Sequence, residues 1–396
     1  MTRICIAGLG YIGLPTAALL ANRGFFVHGV DVIPEVVNTI NKGEIHIIEP
    51  ELDTFVRSAV QSGKLTANLV PAAADVFIIA VPTPFDASKS PDLTYVFSAA
   101  EAMIPFLKPG NLVILESTSP IGTTEKIRDL LQSKGVNVDA LYIAYCPERV
   151  LPGHVMKELI ENDRIVGGLT PEATEKVAAF YKRFVSGEVL KTEAKTAELC
   201  KLAENSYRDT NIAFANELSL ISDAAGVNVW ELIKLANKHP RVNILQPGTG
   251  VGGHCIAVDP WFIISAYPGQ SKLIRSAREI NTYKTEWVIE RIAKEARRLA
   301  IASGKEPVIA LYGLSFKPDI DDLRESPAIH VYNALKKDHK VMAVEPHVKQ
   351  HKSIPLVEME QALNTADLHI FLVAHKQFRV LDLEGKQVLD FCNLNK

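Results

Sequence analysis

RICIAGLGYIGLPTAALLANRGFFVHGVD, residues 3–31, is the stretch whose reading decides the fold. Residues 3–7 form a mainly apolar run of strand length. Gly8, Gly10 and Gly13 then form a G-x-G-x-x-G turn that opens a helical pattern, and a second strand-like run, 25–30, ends on Asp31. Each glycine has a separate reason: a tight turn, close approach of backbone to a pyrophosphate, and close helix–strand packing. The helix N-terminus supplies N–H groups for phosphate. A carboxylate at Asp31 can accept from both ribose hydroxyls and would repel a 2′-phosphate, so the stretch reads as a dinucleotide site for NAD rather than NADP.

The same alternation continues outward. ADVFIIAVP, NLVILEST, LYIAYC and RIVGG read as strands, with helical patterns after Gly13 and over 95–106. This predicts a doubly wound parallel sheet. By the rule that ligands sit at the carboxyl ends of such strands, Pro82-Thr83-Pro84, Ser117-Thr118-Ser119-Pro120 and Pro147-Glu148-Arg149 form the rim of a shared site. Around residue 196 the pattern changes. Residues 196–225 read as one helix about 45 Å long, stopping at Gly226, and further helices are expected at 228–238 and 271–300. The Gly/Pro-rich stretch 247–260 between them is expected to be irregular. Strands return from about 306 in EPVIALYGLS, HKVMAVEP, ADLHIFLVA and KQVLDFC, a second and smaller α/β unit with no G-x-G-x-x-G. The expected fold class is α/β: two Rossmann-like, doubly wound domains joined by a central all-helical domain with a long helix. The expected divisions are 1–195, 196–300 and 301–396.

On the long helix Lys201, Asn205 and Arg208 are spaced by four and three residues and so share a face. Between 248 and 259, GTGVGGHCIAVD places the thiol of Cys255 in a glycine-shaped turn, with Asp259 four residues on. A nearby lysine favours the thiolate, the reactive form. NAD, a lysine and a cysteine together point to a four-electron oxidation. The lysine helps remove an alcohol proton, the thiolate adds to the resulting aldehyde, the adduct is oxidised to a thioester, and water releases an acid. A simple alcohol-to-ketone oxidation needs no cysteine.

Bulk properties agree with this reading. The 396 residues are 47% hydrophobic and 22% charged, with net charge −3. That argues against a binder of nucleic-acid polymers or membrane surfaces. No apolar run reaches membrane-spanning length. The N-terminus lacks a signal-peptide pattern, so a cytoplasmic location is expected. The five cysteines form no CxxC pair and their number is odd, which argues against a disulfide frame or a metal site. Cys5, Cys146, Cys200 and Cys392 read as packed small residues.

GLGYIGLPTAA, GEIHIIEPEL, AVPTPF, ESTSPIGTTEK, AYCPERVLPG, AELCKLAENSYRDTNIAFANELS, GVGGHCIAVDPWF and FKPDIDDLRESPA together resemble the UDP-glucose/GDP-mannose dehydrogenase family over nearly the whole chain. Within it they are most similar to the UDP-N-acetyl-D-mannosamine dehydrogenases. Val258 stands where the UDP-glucose branch carries a lysine, which fits the N-acetylamino-sugar branch. The resemblance implies NAD as cofactor and UDP-N-acetyl-D-mannosamine or a related nucleotide sugar as substrate. It implies Cys255 as nucleophile and Lys201 as proton carrier. Asn205 and Asp259 would hold the reacting oxygen and water, while Glu148 with Thr118 would assist proton transfer or hydrolysis. Gly8, Gly10, Tyr11, Ile12, Gly13, Asp31, Thr83, Thr118 and Arg324 would contact NAD. Arg149, Val150, Lys201, Asn205, Arg208, Gly252, Phe316 and Lys317 would surround the sugar nucleotide, joined by His239 and Arg241. The resemblance also implies a UDP-binding second Rossmann-like domain, and the long helix implies a homodimer. Three alternatives stay open: the gluco-configured sugar, a two-electron 3-hydroxyacid dehydrogenase, and a nucleotide-sugar sensor without turnover.

Overall fold

The computed structural model describes residues 2–86, 89–253 and 255–394. The chain gathers into two compact units, Met1–Ala203 with Trp261–Ala266, and Glu204–Pro260 with Tyr267–Lys396. No helix of the described residues is long and apolar enough to cross a membrane.

The first unit runs β1 (Arg3–Ala7), α1 (Gly13–Asn22), β2 (Phe26–Val30), α2 (Pro34–Asn41), α3 (Leu52–Gln61), β3 (Leu65–Asn68), β4 (Val76–Ile79) and α4 (Thr94–Met103). It continues through β5 (Leu112–Leu115), α5 (Thr123–Ser133), β6 (Tyr142–Tyr145), α6 (Val155–Glu161), β7 (Arg164–Gly168), α7 (Pro171–Tyr181) and β8 (Val189–Glu193). Its described strands form one sheet in the order β3-β2-β1-β4-β5-β6-β7-β8. Successive side chains of a strand face opposite sides, so a sheet covered on both faces needs apolar residues at every position. Ile4 and Ile6 of β1 and Val76 and Ile78 of β4 enter one core. Cys5, Ala7, Phe77 and Ile79 enter the other.

One pairing departs from the expected parallel sheet: β7 runs antiparallel to β6, while β8 is parallel to β7. After β6 the chain spends its short helix α6 beside α1 instead of crossing back along the sheet. It therefore re-enters the sheet from the end at which β6 stopped.

β8 passes directly into α8 (Ala194–Ala225), 32 residues long, and the division between the units falls within this helix. The second unit contains α9 (Val229–Ala236), α11 (Lys272–Ser303), β9 (Val308–Tyr312), α12 (Pro327–Leu335), β10 (Lys340–Val344), α13 (Met359–Thr365), β11 (Leu368–Phe371) and β12 (Val388–Asp390). Between α9 and α11 lies α10 (Asp259–Ala266), which the division also cuts. The second sheet, β10-β9-β11-β12, is parallel throughout. Ile309 and Leu311 of β9 enter one core and Ala310 and Tyr312 the other. The stretch expected to be irregular to residue 260 is so only to 258, because Pro260 sits in the first turn of α10, where its missing N–H costs nothing.

Within the second unit a buried polar ladder sets the register of α8 on α11. Arg278 Nη1 donates to Asp209 Oδ1 (2.6 Å), Asn281 Nδ2 to the same oxygen (2.8 Å), and Asn216 Nδ2 to Asn281 Oδ1 (2.9 Å). Buried amides and ions persist only when paired in this way. The ladder also aims Asn216, whose Oδ1 accepts the Gly248 N–H at 2.9 Å and pins the start of the glycine loop.

Candidate active site

In the first unit, Gly8 adopts φ +90°, and a Cβ there would lie 2.5 Å from the Ala80 carbonyl oxygen. A Cβ on Gly13 would lie 1.8 Å from the Gly8 carbonyl oxygen, whereas one on Gly10 would meet nothing within 4 Å. The first and third glycines are thus demanded by packing, and the second leaves room for a ligand. Tyr11 and Ile12 complete the turn before α1. Asp31 accepts Leu9 N–H on Oδ2 and Ile33 N–H on Oδ1, both at 3.0 Å. Each oxygen keeps lone-pair capacity for a ribose hydroxyl. This cradle fits NAD: the α1 N-terminus would hold its phosphates and Asp31 its adenosine ribose.

Two of the expected rim loops are tied together. Thr83 Oγ1 donates to the Thr118 carbonyl (2.6 Å) and Ser117 Oγ to that of Val81 (2.7 Å). Thr118 is followed by α5, whose N-terminus receives a carboxylate from α8. Glu198 accepts from Gly122 N (2.5 Å), Thr124 N (2.8 Å) and Thr124 Oγ1 (2.7 Å). Lys201, half-buried, lies three residues further along α8. Glu198 therefore anchors the turn that carries Lys201, a role the sequence did not expose.

Glu148 is buried and paired with buried Arg164, Nη1 to Oε2 at 2.5 Å, while its Oε1 accepts the Arg149 N–H at 2.7 Å. Arg149 places Nη1 3.3 Å from the Asp163 carbonyl, and Val150 is half-buried. The loop beyond is held by buried Glu49, which accepts Gly153 N–H and Val155 N–H at 2.9 Å each. A second carboxylate, Glu116, lies beside this pair and accepts from Tyr181 Oη at 2.5 Å. Burial pushes Glu116 up to about 7, against the opposing pull of Arg164, with Glu148 adding to the rise.

Because the folded pKa of Glu116 exceeds its unfolded value of 4.5, its proton stabilises the fold fully below pH 4.5. That stabilisation disappears as pH rises through about 7. Glu116→Gln keeps a neutral group, so its stability advantage over the wild type should grow between pH 5.5 and pH 8. Urea midpoints at the two pH values check this, and an equal difference at both would rule it out.

In the second unit Asn205 Nδ2 donates to Asp259 Oδ2 at 2.5 Å, both residues being buried. The Cys255 carbonyl accepts Val258 N–H (3.1 Å) and Asp259 N–H (2.9 Å), so the exposed Cys255 heads the turn that becomes α10. The preceding glycines are packed closely. Gly253 adopts φ +82° and its missing Cβ would lie 2.9 Å from the Phe316 ring, while a Cβ on Gly252 would lie 2.5 Å from the Glu325 carbonyl oxygen. Gly253 N–H donates to the Arg324 carbonyl at 3.1 Å. The Arg324 guanidinium forks onto Asp322, Nη2–Oδ2 2.6 Å. Lys317 follows Phe316 in the same loop. Arg208 lies exposed on α8, and His239 and Arg241 lie in an exposed turn after α9.

The structure thus joins Thr83 with Thr118, Asn205 with Asp259 and Cys255, and Gly252 with Phe316. Sequence reading missed Arg164, Glu49 and Glu198. The only local signal for the last two was a carboxylate next to apolar residues, in IIEPEL and TAEL.

Comparison with known proteins matches three segments to one family. Residues 2–185 match the NAD binding domain of the UDP-glucose/GDP-mannose dehydrogenase family, 195–283 its central domain, and 310–394 its UDP binding domain. The chain is 53% identical to an NDP-N-acetyl-D-galactosaminuronic acid dehydrogenase of Ralstonia nicotianae, over 98% of this chain and 95% of that one. It is 52% identical to the UDP-N-acetyl-D-mannosamine dehydrogenase of Escherichia coli, over 96% and 95%. The solved UDP-N-acetyl-mannosamine dehydrogenase of Staphylococcus aureus superposes with a TM-score of 0.90 at 41% identity, covering 100% of this chain and 96% of that one. With its glycine cradle, its carboxylate at Asp31 and its cysteine turn, the chain belongs to the UDP-glucose/GDP-mannose dehydrogenase family and is an NAD-binding nucleotide-sugar dehydrogenase.

Proposed function

We propose that the protein is a UDP-N-acetyl-D-mannosamine 6-dehydrogenase, oxidising the C6 alcohol to the carboxylate with two NAD+ reduced per sugar. The observation that carries the proposal is the Asn205–Asp259 bond. Within the second unit it ties α8 to the α10 turn headed by Cys255. The glycine turn and Asp31 would hold NAD, which would supply the hydride acceptor for both oxidations.

The chain's own residues do the rest. Lys201 takes the proton of the C6 hydroxyl as the aldehyde forms. The Cys255 thiolate adds to the aldehyde carbon, and Asn205 and Lys201 stabilise the resulting oxyanion. Loss of a hydride from this thiohemiacetal leaves a thioester on Cys255. Water, polarised by Glu148 with Thr118, attacks the thioester carbonyl. The C–S bond breaks and the thiolate is regenerated. The sum is R–CH2OH, water and two NAD+ giving R–COO−, two NADH and three protons. Arg149, Val150, Arg208, Gly252, Phe316 and Lys317 are proposed around the sugar nucleotide, with His239 and Arg241 reaching a neighbouring site. In functional terms residues 1–195 hold NAD, 196–300 carry the lysine and cysteine, and 301–396 hold UDP.

The relative named for N-acetyl-galactosaminuronic acid, at 53% identity, supports a second reading on the galacto-configured sugar. NADH yield on limiting UDP-N-acetyl-mannosamine should reach two per sugar, with the highest kcat/KM of the manno, gluco and galacto compounds. A higher value for either epimer would move the assignment to that sugar.

Association into a homodimer is part of the proposal. Tyr207, Phe214 and Ile221 repeat every seven residues on α8 and are exposed, so they form one apolar stripe. Light scattering at micromolar concentration should give twice the chain mass, and Phe214→Glu should halve it. A monomer mass for the wild type would refute this.

A further inference from the structure

Both sheets carry the same hydrogen-bonding device. In the first unit Gly8 N–H donates to the Val30 carbonyl at 2.8 Å, while Leu9 N–H and Ile33 N–H share the carboxylate of Asp31. In the second unit Gly313, at φ +90°, donates to the Val344 carbonyl at 2.9 Å. There Leu314 N–H and His347 N–H share the carboxylate of Glu345, at 2.7 and 3.0 Å.

The two differ in what else the carboxylate holds. Asp31 is half-buried. Glu345 is sealed by the wholly buried His375, whose Nε2 lies 3.1 Å from Oε2. His375 Nδ1 accepts the Asp319 N–H at 2.9 Å, so Nε2 carries the proton and donates to Glu345. Ser315 N–H adds a bond to Oε2 at 3.0 Å, and Ser315 Oγ donates to the Lys317 carbonyl at 2.7 Å. Asp319 takes φ +61° and its Oδ1 accepts the Lys376 N–H at 2.9 Å. Burial alone would raise the Glu345 carboxyl, but the bonds from His375, His347 and Leu314 outweigh it and hold it below its ordinary value.

The segment 314–319 is therefore fastened at both ends to one Glu–His pair. Asp319, His347 and His375 do bring donor atoms within 4.8 Å of one another. The Nδ1 lone pair of His375 is already used by Asp319 N–H, so the cluster is a clasp and not a cation site.

The clasped segment carries Phe316. Its Cβ and ring occupy the space that side chains on Gly252 and Gly253 would fill, and Arg324 and Glu325 close the other side of those glycines. Cys255 is two residues further on. We propose that Glu345 and His375 are positioning residues for the reaction: the clasp fixes Phe316, Phe316 fixes Gly252–Gly253, and these set where the Cys255 thiol stands. The kinetic consequence rests on Cys255 being the nucleophile; the positional claim does not.

The test is His375→Gln, which keeps a donor toward Glu345 and leaves Asp319 N–H unmet, alongside Phe316→Ala and the double variant. Alkylation of Cys255 by iodoacetamide, followed on its own peptide by mass spectrometry, reports thiol position without turnover. Each single variant should change that rate at least about threefold. The double variant should change it no further, as expected of groups acting in one chain. Displacement of a reacting group by about 1 Å costs about 10²-fold, so kcat should fall by about that factor while KM for NAD stays within about twofold. His369→Gln, a buried histidine of the same sheet bonded to Tyr312, should lower Tm without moving the alkylation rate.

If His375→Gln lowers Tm alone, or if its effect on alkylation adds to that of Phe316→Ala, the clasp is structural and the proposal is overturned. If alkylation shifts as expected but Cys255→Ser turns over normally, the clasp stands and the nucleophile assignment fails.

Discussion

Cys255→Ser should lower kcat for complete oxidation by about 10³-fold or more, and NADH formed per sugar should fall from two to one or none. Serine keeps the size and the turn, so the backbone bonds from Val258 and Asp259 to residue 255 survive. What it lacks is the nucleophile of the proposed mechanism. A hydroxyl is scarcely ionised at neutral pH, whereas a thiol supplies an appreciable thiolate fraction. A serine adduct, if it forms, ends as an oxygen ester that is a poorer acyl donor. In the proposed sequence the first oxidation does not use the thiol, so any residual NADH should stop at one per sugar. Limiting-substrate spectrophotometry with mass analysis of the variant reads both quantities. Two NADH per sugar at the wild-type rate would make Cys255 a structural residue, and one NADH per sugar in wild type and variant alike would return the protein to two-electron chemistry.

Arg164→Met should destabilise the first unit by about 3–5 kcal/mol, the cost of removing one partner of a buried ion pair. The large value follows from what remains. Arg164 is buried against Glu148 at 2.5 Å, and Glu116 is buried beside them. Without the guanidinium, two carboxylates share an apolar site, and at least one must take a proton or admit water. Tm should drop by about 10 °C. Adding Glu116→Gln to Arg164→Met should recover part of the loss, because it removes one of the stranded acids. Calorimetry of both variants tests the pair, and a drop of only a degree or two would show that the site relaxes without its cation.

The first sheet and the long helix were legible because their signals are local. Residues 3–31 spell strand, turn, helix, strand and acid in sequence order, and the helix expected from 196 begins at Ala194. The face shared by Lys201, Asn205 and Arg208 and the turn carrying Cys255 and Asp259 could be read from spacing within one helix and one loop, but the Asn205–Asp259 bond between them could not. Elements defined by distant partners were not. β3 and β8 are outermost in the sheet, short, and partly exposed (LTAN and VLKTE), so they lack the apolar run that marks the inner strands. The reversed direction of β7 depends on where α6 packs. Arg164 reads as an ordinary strand-start cation until the fold brings Glu148 against it. His375 reads as a loop histidine until Glu345, thirty residues earlier, turns out to be its partner. Sequence shows which residues can do chemistry; which of them are held still is a property of the tertiary pairing.

The alternation of β1 and β4 between two cores also bears on how this chain can change length. Deleting a single residue between Ile4 and Ala7 would turn Ile6 toward the space shaped for Cys5 and Ala7 and draw Gly8 out of its close contact with Ala80. Folding and cofactor binding would be lost in one step, with no intermediate that keeps either. Insertions and deletions are thereby confined to connections outside the elements and their carboxylate anchors, such as 348–352. Drift in size among functional descendants must be written in those loops.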